Sequence, residues 1–247
     1  MRNIQLVLEY DGSRYDGWQK QEGHKGNTIQ GKLEDVLSKM EETPVEVIGA
    51  ARTEAGVHAY GQVANFKTDS KLEVYEIMHY LNRYLPRDIA VLKALEVPER
   101  FHSSFNAVSF KYEYKISIGE VPSVFDRKYN YYCFKKPNTV AMKQAAKYFI
   151  GKHDFKAFSD NKRMKKSTER EILDLDIYAD EKEIVISVYG DDFWPHMVRI
   201  IVGTLLEVGL SEKEVDEIPK IIQSKDRELA GPTAEAKGLF LVDVNYK

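Results

Sequence analysis

Arg52, Glu54 and His58 stand close together in a short polar segment, residues 51–58, between two stretches in which polar and apolar residues alternate. A carboxylate on such a loop, with a guanidinium nearby, stays ionised at neutral pH because the opposite charge favours its charged form. It can then serve as a nucleophile or a base, and His58 is a candidate base beside it. A surface ion pair and a hydrogen-bonded structural histidine explain the same spacing, so the segment alone leaves both interpretations open.

Two tyrosines and one arginine are further candidates. Tyr112 and Tyr114 share one face of a predicted strand, where they either pack in the core or form a platform on which a base stacks. Arg199 interrupts an apolar helical stretch, and an unpaired guanidinium is costly to bury. We therefore expect a buried carboxylate partner for Arg199, with Glu54 as the candidate. The sequence contains no GxxxxGKS, GxxxxGKT or GxGxxG pattern, so the usual nucleotide-cofactor signals are absent.

The elements that position these residues alternate between strands and helices. Asn27, followed three residues later by Gln30, predicts a capped helix start, and apolar residues from Ile29 to Met40 then fall on one face. The order favours an α+β fold in which neighbouring strands pair locally. The predicted strands are 3–10, 45–50, 61–68, 88–96, 105–118, 129–134, 169–179, 183–189 and 239–246. The predicted helices are 29–40, 73–84, 138–150, 193–208 and 211–223.

Both halves of the chain, residues 1–103 and 104–247, contain strands and helices, so we predict two lobes with a cleft between their sheets. The loop 51–58 belongs to the first lobe. The second lobe holds the helix with Arg199 and a long loop, residues 151–168, which is basic and poor in apolar residues. Loops of this length are uncommon unless they are functional.

The composition is that of a folded protein. Of the 247 residues, 43% are hydrophobic and 30% are charged, which is enough apolar surface for one or two packed cores. Cys133 is the only cysteine, which excludes an intramolecular disulfide and a cysteine-based zinc site. The most apolar stretch, residues 197–208, is too short to cross a bilayer, and the N-terminus resembles a strand more than a signal peptide. We therefore expect a soluble protein of the reducing cytoplasm.

The charged residues are distributed unevenly, although the net charge is only −3. Residues 135–170 carry 11 Lys or Arg against three acidic residues, while residues 171–192 carry eight acidic residues against Lys182. A basic face of this kind can attract a polyanion despite the negative total charge. A solvated charged surface is the other interpretation of the same pattern.

Several multi-residue blocks, spread over nearly the whole chain, resemble those of the tRNA pseudouridine synthase A family in the same order. The resemblance implies a two-lobed α+β pseudouridine synthase fold, with a mixed or antiparallel sheet in each lobe flanked by helices. It also implies a symmetric homodimer without a metal or organic cofactor, which converts uridines of the tRNA anticodon stem-loop to pseudouridine. The blocks are YDGSRYDGWQKQ, ARTEAGVHAYGQVANF, NRYLPRDIAV, FHSSFNAVSFKYEY, HDFKAF, HMVRIIVGTLLEVG and AGPTAEAKGLFLVDVNY.

The resemblance also assigns roles to individual residues. Glu54 matches the catalytic carboxylate of the family, and Arg52 matches the partner of that carboxylate and of the flipped nucleotide. Tyr112 matches the active-site tyrosine, Arg199 the arginine that pairs with the carboxylate, and Leu239 the leucine that packs on the base. Further residues that we predict to contact the substrate are His58, Gln62, Lys162, Arg163, Lys165 and Lys166.

The sequence departs from the family pattern at the catalytic position, where the family has aspartate and this chain has Glu54. Glutamate extends the reach of the carboxylate by one C–C bond, about 1.5 Å, and a misplacement of about 1 Å can cost about 100-fold in rate. Smaller departures are Ser104 and Phe110, where the family has arginines, and Glu235, where it has proline.

Three alternatives to a tRNA-directed synthase therefore stay open at this point. The chain could act on ribosomal RNA, or it could be a catalytically impaired relative that binds RNA. A nucleosidase for small substrates would need a second carboxylate about 5–10 Å from the first, for which Asp11 is the candidate.

Overall fold

The structure is a computed structural model, and it describes residues 1–21, 26–160 and 167–247. Over these residues the chain forms ten strands and five helices, a mixed α+β fold as predicted. The strands are β1 (Arg2–Tyr10), β2 (Val47–Gly49), β3 (His58–Thr68), β4 (Ile89–Val97), β5 (Ala107–Ile118), β6 (Tyr131–Cys133), β7 (Gly151–Asp154), β8 (Glu169–Ala179), β9 (Glu183–Gly190) and β10 (Leu239–Tyr246). The helices are α1 (Ile29–Glu41), α2 (Val74–Tyr84), α3 (Thr139–Ala146), α4 (Met197–Gly209) and α5 (Glu217–Ser224).

The contacts divide the chain into two compact units. The first unit comprises residues 1–108 and 240–247, and the second comprises residues 109–239. Most of the last strand therefore belongs with the first unit, although it is distant in sequence. The lobe boundary after residue 103 stays a prediction.

The first unit is built on a sheet with the strand order β4-β1-β3-β10. The strands β4 and β3 are antiparallel to β1, β10 runs parallel to β3, and the short β2 pairs with β3. From Ile4 to Tyr10 every second residue of β1 is buried, with Ile4, Leu6 and Leu8 fully inaccessible, because successive side chains of a strand point to opposite faces. Helices α1 and α2 contribute Leu33 and Ile77 to the same core.

The start of α1 corrects one prediction. Its N-cap is Thr28, whose hydroxyl accepts a hydrogen bond from the Gly31 amide at 3.2 Å, and Asn27 lies before the helix. The Asn27 side chain donates to the Arg14 carbonyl oxygen, while the Gln30 side chain donates to the Val47 carbonyl oxygen. Both side chains are thus occupied by distant backbone, so the predicted capping box between them does not form.

The second unit is built on the antiparallel order β5-β9-β8-β7, with β6 parallel to β5. Its core contains Tyr114 of β5, Ile186 of β9 and most of α4. All residues of α4 are buried except Arg199 and Glu207, which are half-buried. A helix that is apolar on nearly all sides is one that the surrounding protein covers.

Several predicted boundaries in the second unit are wrong. The helix predicted over 193–208 begins only at Met197, after Pro195, and the one predicted over 211–223 begins at Glu217. The helix predicted over 138–150 ends at Ala146 and continues as a 3-10 turn.

The predicted loop 151–168 is also wrong in its first half. It starts with β7 and a 3-10 turn, Phe155–Phe158, because two phenylalanines of this segment are fully buried and tie it to the core. Residues 161–166 lie outside the described part of the chain. None of the helices in the described ranges is both long and apolar enough to cross a membrane.

Candidate active site

Glu54 lies on the turn between β2 and β3, which we call the carboxylate loop (residues 50–57). The Glu54 side chain is half-buried and Arg52 is exposed, while Thr53 between them is buried. The Val57 amide donates to the Glu54 carbonyl oxygen at 3.1 Å, which closes a tight turn directly after the carboxylate. The loop thus presents the cationic side chain of Arg52 and the carboxylate of Glu54 on either side of the buried Thr53.

Gln62 of β3 fixes the beginning of the carboxylate loop. Its side chain is fully buried; Nε2 donates to the Ala51 carbonyl oxygen at 2.7 Å, and Oε1 accepts from the Ala51 amide at 3.2 Å. One side-chain amide therefore satisfies both backbone groups of a buried residue. Because buried backbone groups are costly to leave unpaired, this pair of hydrogen bonds holds Ala51, one residue before Arg52 and three before Glu54, close to β3.

Tyr10 of β1 fixes the middle of the loop. Its hydroxyl lies 2.7 Å from the Thr53 hydroxyl, and Gln62 Nε2 donates to it at 3.4 Å. Burial raises the pKa of Tyr10 well above its usual value, by more than the two hydrogen bonds lower it. The phenol therefore stays neutral and can donate to Thr53 over the whole physiological range.

The turn after β1 packs against the far side of the loop, and two glycines allow this. A Cβ at Gly12 would lie 2.0 Å from the Val57 carbonyl oxygen, and one at Gly17 would lie 2.7 Å from the Thr53 carbonyl oxygen. Gly17 also has a φ of +94°, which side-chain-bearing residues rarely adopt. The Asp11 carboxylate accepts from the Ser13 amide at 2.9 Å, which forms an Asx turn at this point.

His58 is buried at the end of the loop. The Gly12 amide donates to His58 Nδ1 at 3.1 Å, and the imidazole stacks on Phe240 with 4.7 Å between ring centroids. Asp11 Oδ1 lies 3.3 Å from the same nitrogen. These contacts give His58 a structural position; its predicted role as a base or substrate ligand stays a prediction.

In the second unit, Tyr112 is half-buried on β5, opposite Val188 of β9. Its ring meets Phe193 edge to face, with 5.4 Å between centroids. Tyr114, on the same face of the strand, is fully buried, and its hydroxyl donates to the Glu235 carbonyl oxygen at 2.8 Å. The core interpretation is therefore confirmed for Tyr114, while Tyr112 retains part of its surface.

Arg199 is half-buried on α4, where it binds a segment that we call the strap (residues 230–238). Its Nε donates to the Ala234 carbonyl oxygen at 2.6 Å, and the Ala234 amide donates to the Arg199 carbonyl oxygen at 3.1 Å. The bond through Nε fixes the plane of the guanidinium. The carboxylate partner expected for Arg199 stays a prediction.

The strap lies unusually close to α4. A Cβ at Gly203 would be 1.8 Å from the Pro232 carbonyl oxygen, and the Gly231 amide donates to the Thr204 hydroxyl at 2.8 Å. At its end, Gly238 packs against the Tyr114 ring, and the buried Leu239 follows at the start of β10. The strap thereby sets the positions of both Arg199 and Leu239.

The structure accordingly sorts the predicted residues into two groups, each on its own unit. Four of them share the carboxylate loop and its supporting strand, and three belong to β5, α4 and the start of β10. Sequence reasoning missed Tyr10 and Ala234, because their contacts join segments far apart in the chain. The group of the first unit is Arg52, Glu54, His58 and Gln62; that of the second is Tyr112, Arg199 and Leu239. Lys162, Arg163, Lys165 and Lys166 lie outside the described residues.

No three His, Cys, Asp or Glu side chains within the described ranges are grouped so that they could hold a metal ion. The described candidate residues themselves offer a carboxylate, two guanidinium groups, a phenol, an imidazole, a carboxamide and an apolar side chain.

Comparison with known proteins places this chain among named relatives. It matches the family described as tRNA pseudouridine synthase over residues 6–106 and 145–247. It is 48% identical to tRNA pseudouridine synthase A of Bacillus sp. (strain KSM-64) over 246 residues, which is 100% of both chains. Identity is 46% to tRNA pseudouridine synthase A 2 of Bacillus cereus (strain ATCC 14579) and 43% to tRNA pseudouridine synthase A of Acetivibrio thermocellus, again over 100% of both chains.

Proposed function

The chain belongs to the tRNA pseudouridine synthase family and isomerises uridine to pseudouridine in tRNA; we propose that Glu54 is the carboxylate that performs this reaction. The observation that carries the proposal is the carboxylate loop, whose buried anchors present Glu54 half-exposed on a fixed backbone. Rigid support of this kind is what a reacting group requires.

The reaction needs an anion at the sugar. A uridine in a helical stem must leave the base stack before its glycosidic bond can be reached. As the bond from C1′ to N1 breaks, positive charge develops at C1′, and a nearby carboxylate stabilises it. Uracil then turns, C5 bonds to C1′, the proton on C5 is released to water, and N1, which left with the bonding electrons, takes up a proton from water.

The carboxylate can act by either of two routes. Glu54 can attack C1′, so that a covalent ester forms as uracil leaves with the bonding electrons, and the ester breaks when C5 attacks C1′. It can instead remove the 2′ proton, which gives a glycal that later regains the proton. The same side chain in the same position serves both routes.

We propose the remaining roles from the family resemblance. The exposed Arg52 contacts the flipped nucleotide, Tyr112 provides a phenol and a ring, Arg199 pairs with a carboxylate, and Leu239 packs on the base. The fixed guanidinium of Arg199 and the half-exposed ring of Tyr112 support these assignments.

Gln62 and His58 act in this proposal mainly by positioning. Gln62 is fully buried and His58 is 1% exposed. A substrate contact through either side chain would require the groups around it to move, whereas both already hold backbone of the carboxylate loop or its neighbour.

The proposed substrate is the anticodon stem-loop of tRNA. Lys162, Arg163, Lys165 and Lys166 are proposed to contact its phosphates, because neutralising phosphates is the usual source of affinity for RNA. Replacing the four together should weaken tRNA binding more than it slows turnover of bound tRNA, and binding should weaken steeply with salt. A binding constant that does not change with salt would contradict this part of the proposal.

The protein is further proposed to be a cytoplasmic homodimer. The relatives are bacterial, and bacteria keep their tRNA in the cytoplasm. A sedimentation measurement that gave the mass of one 28.5 kDa chain would contradict the dimer.

One substitution favours a second candidate, a relative that binds RNA but turns it over poorly. Glu54 stands where the family has aspartate, and its extra methylene displaces the carboxylate by about 1.5 Å unless the pocket has shifted with it. The naming of the relatives for tRNA does not favour the ribosomal RNA alternative.

The release of tritium from tRNA labelled with [5-³H]uridine tests the proposal, since formation of the C5 bond expels this hydrogen. The unaltered chain should release tritium, and Glu54→Ala should release none while it still binds tRNA. Release by Glu54→Ala would remove Glu54 from the mechanism. No release by the unaltered chain, combined with a gain in Glu54→Asp, would establish the impaired relative instead.

A further inference from the structure

Asp160 lies at the centre of four side chains of the second unit, which we call the Asp160 cluster (Asp160, His196, Arg227 and Thr233). Arg227 Nε donates to Asp160 Oδ1 at 2.7 Å, and His196 Nδ1 lies 2.7 Å from Oδ2. Thr233 Oγ1 donates to Oδ2 at 3.3 Å. Both carboxylate oxygens are therefore engaged by groups from three separate parts of the chain.

Arg227 links Asp160 to the strap. Its NH1 donates to the Gly231 carbonyl oxygen at 3.0 Å, and its NH2 donates to the Thr233 hydroxyl at 3.1 Å. The opposite side of the strap binds α4 through Gly231, Pro232 and Ala234. The Arg227 guanidinium thus binds the face of the strap opposite to α4, the helix that carries Arg199.

His196 links Asp160 to the N-terminus of α4. It is the N-cap residue and has a φ of +65°, a left-handed conformation that is uncommon for any residue with a side chain. Such a backbone persists only where surrounding contacts determine it. The bond between His196 and Asp160 is one such contact, three residues before Arg199.

The charge on Asp160 is secure near neutral pH. Burial raises the pKa of this carboxyl, but the hydrogen bonds and charges of Arg227 and His196 outweigh burial and hold the pKa below its ordinary value. The cluster therefore keeps its ionic character under the conditions of tRNA modification.

We propose that Asp160 is a positioning residue for pseudouridine formation: it orients the Arg199 guanidinium by fixing both the start of α4 and the strap that accepts the Nε bond. This inference rests on the proposed role of Arg199 in the reaction. Asp160 itself touches neither the tRNA nor the reacting atoms in this proposal.

A neighbouring aspartate of the same unit provides a matched control. Like Asp160, Asp154 has a lowered pKa and binds a cation shortly after α5, Lys225 at 2.7 Å; it lies at the start of a 3-10 turn. Its other side-chain partners are Thr168 and the Lys156 amide, so it contacts neither the strap nor α4. Loss of charge at Asp154 therefore reports on general stability alone.

The first experiment compares Asp160→Asn with Asp154→Asn by single-turnover tritium release at a series of tRNA concentrations. In Asp160→Asn the maximal rate should fall by about 10-fold or more, because a displacement well below 1 Å at a reacting group is costly. The tRNA concentration that gives half the maximal rate should change by less than about threefold. Asp154→Asn should keep the maximal rate. Equal loss of rate in both variants, or unchanged rate in Asp160→Asn, would overturn the inference.

Arg227→Lys is a second variant in case Asp160→Asn does not fold. It keeps a cation beside Asp160 but cannot bind the carboxylate, the strap carbonyl and Thr233 together. We expect a smaller loss of maximal rate, again without a change in tRNA affinity; a loss confined to affinity would contradict the inference.

A second measurement separates this inference from the proposed function. In ¹⁵N-labelled protein without RNA, the Nε–H signal of Arg199 is identified by its absence in Arg199→Lys. Asp160→Asn should shift this signal and speed its exchange with solvent, and Asp154→Asn should not. An unmoved signal overturns the inference even in an active enzyme. If the unaltered chain releases no tritium, the proposed function fails, and the Arg199 signal still decides whether Asp160 orients the guanidinium.

Discussion

The carboxylate loop and the strap each place a residue assigned to the reaction, but they are held in different ways. The loop is fixed by neutral, buried groups: the amide of Gln62, the phenol of Tyr10 and close backbone contacts at Gly12. The strap is fixed by a backbone contact on one side and by the ionic Asp160 cluster on the other. The position of Glu54 should therefore be insensitive to pH and salt, whereas that of Arg199 depends on charge.

Both regions share one requirement, a glycine at the point of closest approach, and its loss should have the largest effect. Gly12→Ala and Gly203→Ala each place a methyl group about 2 Å from a backbone oxygen, so backbone must move. We expect each to lower the free energy of unfolding by about 3 kcal/mol, measured by urea denaturation.

Gly26→Ala is the control for this pair, since its added methyl group would meet side-chain atoms at 3.4 Å or more. It should change the free energy of unfolding by less than about 0.5 kcal/mol. If Gly12→Ala and Gly203→Ala changed the free energy of unfolding as little as this control, the close backbone approaches at these glycines would not be what stabilises the two regions.

Replacing the neutral anchor of the loop should have the next largest effect. Gln62→Leu keeps the volume but leaves the amide and carbonyl of Ala51 without their side-chain partner, at a cost of about 1–3 kcal/mol. Release of tritium should slow as well, because Glu54 lies three residues after Ala51, whose backbone Gln62 holds. Gln223→Leu on the exposed face of α5 is the matched control and should leave both quantities unchanged. Equal effects of the two substitutions would contradict the anchoring role.

Lowering the pH should destabilise the strap more than the carboxylate loop, and this effect should be smaller than those of the substitutions above. A carboxylate whose pKa is lowered by folding stabilises the protein above its unfolded pKa, about 4 for aspartate, and this contribution is lost as pH falls through the folded value. Asp160 is such a group. Between pH 7 and about pH 3, amides of the strap should therefore lose protection from hydrogen exchange before those of the carboxylate loop. Simultaneous loss in both regions would contradict the distinction.

The sequence predicted the element types well where apolar periodicity decides them, as in β1, α2 and β8. It misplaced features that depend on distant partners. Asn27 is a residue type that often caps helices, but its side-chain amide donates to the Arg14 carbonyl oxygen instead. The segment 151–158 is short of apolar residues, yet the buried Phe155 and Phe158 anchor it to the core.

The candidate site shows the same limit. Glu54, Arg52, Tyr112 and Arg199 are assigned to the site by residue type and by resemblance to the family motifs, and these assignments stay predictions. The supporting contacts could not be identified in this way: Asp160 meets His196 across 36 residues and Arg227 across 67. Gln62 looks like an ordinary polar residue of a strand, and only the burial of both faces of β3 shows that its amide must bind backbone.

The most direct test of the central claim is the rate of pseudouridine formation by Glu54→Gln under single-turnover conditions with saturating tRNA. Glutamine has the shape and reach of glutamate, keeps the loop contacts of the backbone and cannot ionise. The account predicts that the rate falls by about 1,000-fold or more while the dissociation constant for tRNA changes by less than about threefold. A rate within about tenfold of the unaltered enzyme would contradict the assignment of Glu54 as the catalytic carboxylate.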